Sequence, residues 1–137
     1  MKPKQIGQKI VMCMLVTSIL GIGSATPAQA ATWHKGTPKA IRGSWVCHKS
    51  ISSGTPGWGQ RKIYANKMTN QDQHMPKVLF THLKYKSLGH GKYKIHCFSR
   101  IIKKSYGDKG GYMTLTFVKN NGKLKTGNWP WYHHGTV

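Results

Sequence analysis

From Ser44 onward the chain is a series of short runs rich in β-branched and aromatic residues, each stopped by glycine, proline or asparagine. That pattern leaves little room for a helix and constrains the fold more than any other feature. The runs lie at 44–50, 61–68, 77–86, 92–103, 112–119 and 124–131, and the breaks include Gly54-Thr55-Pro56-Gly57, 70–76, Gly89-His90-Gly91, 107–111 and Asn121-Gly122. Six short strands with tight connections predict an all-β fold, either a small antiparallel up-and-down barrel or a flattened sandwich. Ahead of them, Thr37 to Gly43 reads as one helical turn in which Thr37 caps, Pro38 takes the first position and Gly43 ends the turn.

One hairpin can be read in register. A five-residue turn from Ser87 to Gly91 sets Tyr85 opposite Tyr93, Leu83 opposite Ile95, Thr81 opposite Cys97 and Leu79 opposite Ser99. These make a core face, which parity extends to Ile101, Met113, Leu115 and Phe117, with Trp129 and Trp131 joining from the last strand. The opposite face then pairs Lys86 with Lys92, Lys84 with Lys94, His82 with His96 and Phe80 with Phe98. Like charges directly opposed destabilise a sheet, so Lys84, Lys86, Lys92, Lys94, His82 and His96 form a candidate polyanion-binding stripe. The competing explanation is that a very basic surface sets lysines side by side by chance. An up-and-down order gathers the Trp58 loop, the His90 turn and the Asn121-Gly122 turn at one end. It leaves the helical turn and the loops of Asp72 and Asp108 at the other.

The N-terminus bounds where such a domain works. Lys2, Lys4 and Lys9, an apolar stretch over 10–22 and the small residues of Ala28-Gln29-Ala30 read as a signal peptide cut before Ala31. Cys13 follows the bulky Met12 early in the apolar stretch and is no lipid anchor site. The expected division is a signal peptide at 1–30, a lead at 31–36 and a single β-barrel domain at 37–137. Removing three lysines from the 22 Lys+Arg, against two acids, leaves a net +17. The expected partner is therefore anionic: phosphate-bearing wall polymer, anionic lipid headgroups, acidic polysaccharide, or nucleic acid bound without sequence preference. No second segment approaches the roughly 20 apolar residues of a membrane span, so attachment to a surface would be non-covalent. All eight histidines follow residue 30, so acidification should add positive charge, with His82 and His96 as the expected sensor.

Catalytic chemistry has little to draw on. Glutamate is absent, and Asp72 and Asp108, the only carboxylate side chains, sit in turn-rich stretches where aspartate is ordinary. His82 and His96 with a lysine could in principle cleave a phosphodiester, yet nothing in the sequence marks a pocket around them. Cys47-His48 and His96-Cys97 suggest zinc ligands, but adjacent strand residues point to opposite faces. No metal or cofactor is expected. Trp58 lies between two glycines, where it either stacks on a sugar, a base or a membrane interface, or folds back over the barrel rim. Cys47 and Cys97 have two readings as well, a pair of buried thiols or a disulfide. A bridge would close a loop of about 50 residues and add roughly 4 kcal/mol.

The string Trp33-His34-Lys35-Gly36-Thr37-Pro38-Lys39-Ala40-Ile41-Arg42-Gly43-Ser44-Trp45 resembles the start of small basic secreted proteins of lactic acid bacteria. Within it, a helical turn running into Gly43-Ser44-Trp45 resembles the Gly-x-Trp signature of lipocalins and other calycins. That resemblance implies that Trp45 plugs the closed end of a barrel under the Pro38 turn, with Gly43 at the strand head, and that the open end binds a small apolar ligand. It also implies an arginine of the last strand stacked on the tryptophan, and the run 124–131 has none. Three functions follow as expectations. The first is a secreted, non-catalytic cationic protein that associates with anionic cell-envelope polymers. The others are a calycin-like carrier of a small ligand and a cationic membrane-active protein.

Overall fold

The computed structural model describes residues 32–48, 57–103 and 107–137. The expected signal peptide and most of the turn at 54–57 lie outside the described residues. The strands are β1 (His34–Lys35), β2 (Gly43–Cys47), β3 (Gly59–Ile63), β4 (Met68–Asp72), β5 (Val78–Gly89), β6 (Lys92–Ile101), β7 (Gly111–Asn120), β8 (Lys123–Thr126) and β9 (His133–His134). They form one antiparallel sheet in the order β8-β7-β6-β5-β4-β3-β2-β9, with β1 on β5. Leu124 and Tyr132 exchange both backbone hydrogen bonds, at 2.8 and 2.7 Å, and so join β8 to the segment leading into β9. The fold is therefore all-β, an antiparallel sheet that nearly closes into a barrel.

The expected count of about six strands is too low, chiefly because 61–68 is not one strand. β3 ends at Ile63, and the Tyr64 N–H donates to the Lys67 carbonyl at 2.9 Å to close a tight turn. β4 then runs through Thr69, Asn70 and Gln71, whose polarity reads as loop in isolation; all three pair with β3, and Thr69 and Asn70 pair with β5 as well. The run 124–131 likewise breaks after Thr126, where the Trp129 N–H returns to the Thr126 carbonyl at 3.0 Å. One additional turn reverses the direction of every later strand. The Pro38 turn therefore shares an end with Tyr64–Lys67, His90-Gly91 and Asn121-Gly122, while Trp58, Asp72 and Asp108 lie at the other, which corrects the expected grouping.

The end holding the Pro38 turn is plugged. Lys39–Ile41 form the 3-10 turn, and Pro38 rather than Thr37 precedes it. The Thr37 hydroxyl instead donates to the Tyr64 carbonyl at 2.6 Å and accepts from Arg42 Nε at 3.2 Å, tying the lead to the β3–β4 turn. Gly36 passes so close to Ala65, at φ +86°, that a Cβ would collide with its carbonyl oxygen. Trp45 is fully buried, donates its indole N–H to the Ile41 carbonyl at 2.8 Å and stacks on His134 at 3.7 Å. The cation beside its ring is Lys119 of β7, whose ammonium lies 6.0 Å from the ring centre and donates to the Ala40 carbonyl at 2.6 Å.

The β5–β6 hairpin also differs from expectation. Its turn is the two-residue His90-Gly91, at φ +52° and +71°, and not a five-residue loop. Further along, β5 bulges between Thr81 and Lys84, where His82 takes φ +52°. The bulge falls where β5 changes partner, from β4 through Phe80 to β1 at Lys84 and Tyr85. It also shifts the parity of the strand. Leu83 and Tyr85 pack against the core as expected, but ahead of the bulge Phe80 packs there in place of Leu79 and Thr81. Ile95, Cys97 and Phe117 are buried as parity predicts. Trp129 and Trp131 are not core residues; Tyr132 fills that place.

Candidate functional site

The outer surface of β5, β6 and β7 carries the basic stripe in a new register. Lys86 faces Lys94, Lys84 faces His96, and Lys92 faces Gly89 beside the turn. The expected pairs Lys86–Lys92, Lys84–Lys94 and His82–His96 do not form, because the two-residue turn and the bulge each displace the ladder. The lysines are interleaved with aromatic rings. Trp33 lies under both Lys84 and Lys86, with ammonium-to-ring distances of 5.4 and 5.0 Å. His96 stacks on Tyr112 at 5.6 Å with the rings 5° from parallel, and its Nδ1 is 3.1 Å from Thr114 Oγ1. His82 reaches the same Tyr112 at 6.4 Å, so the two histidines share a neighbour rather than facing each other. Phe98 meets Tyr112 edge-on at 5.1 Å, and Tyr112 itself is 65% exposed.

Neither carboxylate neutralises this stripe. Asp108 accepts from the Ile101 and Gly110 N–H groups at 2.7 and 2.9 Å, and these bonds hold its carboxyl below the ordinary range. Asp72 ends β4, where burial pushes its carboxyl up against the opposing charge of Arg61. Both lie at the barrel end opposite the Lys86 and Lys92 end of the stripe.

Inside the barrel is a cavity of about 280 Å³. Its notable wall residue is Arg61, only 8% exposed, placed by β3 directly between Trp45 on β2 and Asn70 on β4. Arg61 Nη1 donates to Thr126 Oγ1, and the guanidinium carbon sits 4.8 Å from the Tyr132 ring centre, 5.7 Å from Trp129 and 5.9 Å from Phe117. Among the described residues, its Nε and the neighbouring Asn70 Oδ1 are buried without a hydrogen-bond partner, as is Asp72 Oδ1. Burial also pushes the Tyr132 hydroxyl above its ordinary pKa, partly offset by the Arg61 charge. Met68, Phe80, Leu115 and Phe117 make most of the remaining wall apolar, while the exposed Met113 and Trp129 mark the mouth away from the Trp45 plug.

Arg61 escaped the sequence reading, as did Trp33 and Tyr112 on the outer face. The signal for Arg61 was present: in Gly59-Gln60-Arg61-Lys62-Ile63 it shares strand parity with Ile63, which is buried. Among the other expected positions, Gly43 heads β2 at φ +131°, and Pro38 and Trp45 are buried at the plug. Trp58 is half-buried just ahead of β3, its carbonyl accepting the Gln73 N–H at 2.8 Å. Cys47 and Cys97 are both buried and no disulfide joins them; Cys97 Sγ lies 3.8 Å from the Met113 carbonyl, and burial pushes its thiol up to about 11.

Among the described residues no three His, Cys, Asp or Glu side chains cluster as metal ligands would, and no helix is long and apolar enough to cross a membrane. Compared with protein-family models, curated protein sequences and solved structures, the chain has no match.

Proposed function

We propose that this is a secreted, non-catalytic cationic protein that associates with anionic cell-envelope polymers through the outer face of β5–β7. The observation that carries the reading is the direct opposition of Lys86 and Lys94, continued by Lys84 beside His96, on a face without a carboxylate. Opposed like charges cost a sheet stability, and a polyanion laid across them removes that cost while releasing its own counterions. Trp33 and Tyr112 add flat apolar contact between the charges. A polymer with a phosphate in each repeat suits such an array, since it meets successive lysines without a defined base or sugar edge.

The test is sedimentation of the purified secreted protein with isolated cell walls before and after their anionic polymers are stripped. Retention by intact walls that is lost on stripping and falls smoothly with salt is the expected result. Binding that persists at about 1 M salt, where the Debye length is roughly 3 Å, contradicts the proposal. Leakage of dye from anionic vesicles at the same concentrations would favour a membrane-active protein instead.

A further inference from the structure

We propose that the barrel interior is a second binding site, separate from the basic face, for a small amphipathic monoanion whose head group pairs with Arg61. A guanidinium removed from water loses its solvation, a cost offset only where its donors are satisfied and its charge is matched. Here Nη1 donates to the Thr126 hydroxyl, the Arg61 side chain also acts on the Tyr132 hydroxyl, the nearest surfaces are the faces of Tyr132, Trp129 and Phe117, and Nε has no partner among the described residues. The Asp72 carboxylate acts on Arg61 through space, and its own burial works against ionisation. Asn70 Oδ1 and Asp72 Oδ1 are buried nearby and are also unpaired among the described residues, so what Nε lacks is an acceptor oxygen placed to meet it, and Arg61 lines a cavity from which one can enter.

The rest of the cavity describes the remainder of the ligand. Met68, Phe80 and Leu115 offer apolar wall, so the group trailing the anion is hydrocarbon. The cavity of about 280 Å³ lies near the lower end of small-molecule pockets, roughly 300 to 1,000 Å³. A medium-chain carboxylate suits it. One guanidinium matches one negative charge, and a carboxylate can meet its planar fork with two oxygens, which points to a carboxylate head group. Access is from the end of Met113 and Trp129, because Trp45 and the Pro38 turn fill the other.

The test is calorimetric titration of the purified secreted protein with octanoate and, separately, with octan-1-ol. Octanoate should bind at one site per chain, at least tenfold more tightly than the alcohol, and raising salt from 0.1 to 0.5 M should change its affinity less than threefold. Arg61→Met should remove the preference for the carboxylate. Met113→Trp, which fills the mouth from an exposed position, should abolish octanoate binding and leave retention on cell walls unchanged. Equal affinity for the two ligands in the wild type would overturn the role of Arg61. Failure of both to bind, or octanoate binding that Met113→Trp leaves intact, would overturn the interior site. Neither failure touches the proposed association with polyanions, which is read from wall retention alone.

Discussion

Arg61 and Lys86 carry the same charge on the same sheet, and almost everything around them differs. Lys86 stands outside, faces another cation and lies beside an exposed indole ring. Arg61 is inside, held over three aromatic rings with one donor unmet. The outer charge is screened by water and salt, so its worth lies in numbers and spacing and no single lysine should matter much. The inner charge is poorly screened, so geometry and hydrogen bonds decide its value. Under the two proposals, basic side chains on one sheet would serve two modes of recognition, diffuse outside and directional inside.

Substitutions should separate the two regions, and the largest effect belongs to the interior. Trp45→Ala should cost about 3 to 5 kcal/mol, since it empties the plug and strands the Ile41 carbonyl that accepts its indole N–H. Urea denaturation of wild type and variant measures this. A loss below about 1 kcal/mol would show that the plug does not hold the barrel. Next, Arg61→Met combined with Asp72→Asn, which removes the buried cation together with its through-space partner, should leave the fold intact and be neutral or stabilising by about 1 to 4 kcal/mol, because the desolvation penalty of both charges is avoided. A marked destabilisation would make Arg61 a structural residue and weaken the contrast.

Cys97 gives a pH-dependent test of the same interior. Its thiol is held up to about 11 in the folded protein against an ordinary 9.0. Between those values the unfolded chain has released a proton that the folded chain retains, so stability falls as pH rises from about 9 to about 11 and is unaffected by this group below that window. The loss should reach about 2 to 3 kcal/mol and be missing from a Cys97→Ala variant compared over the same range. A smaller effect is expected on the outer face: replacing Lys84, Lys86, Lys92 and Lys94 together by glutamine should raise stability by only about 0.2 to 1 kcal/mol, by relieving cross-strand repulsion. Wall retention, by contrast, should drop sharply.

How far the two regions were legible in the sequence follows from what each depends on. Alternation and the turn residues were enough for an all-β antiparallel meander, and the Asn121-Gly122 turn forms where its composition requires, at φ +46° and +72°. The burial of Ile95, Cys97 and Phe117 was equally readable, since parity holds along β6 and β7. β4 was not, because Thr69, Asn70 and Gln71 are polar and are held as strand by β3, with β5 on the other side of Thr69 and Asn70. That omission inverted the ends of the barrel. The bulge at His82 was invisible too: it answers to the change of partner from β4 to β1, which no local pattern reports. Hence the lysines expected in the stripe meet in other pairs than local parity predicts, and Arg61, one of many cations in the chain, is set apart only by its neighbours in the folded sheet.

The most direct test of the central claim is the salt dependence of binding to a defined phosphate polymer, measured for the wild type and for the variant with Lys84, Lys86, Lys92 and Lys94 all changed to glutamine. Each phosphate contact contributes about 0.7 to the slope of log affinity against log salt for a flexible single chain. Loss of four contacts should therefore reduce the slope by about 3, while Arg61→Met leaves it unchanged. An unaltered slope in the quadruple variant would contradict the account and move the polyanion-binding surface elsewhere on the barrel.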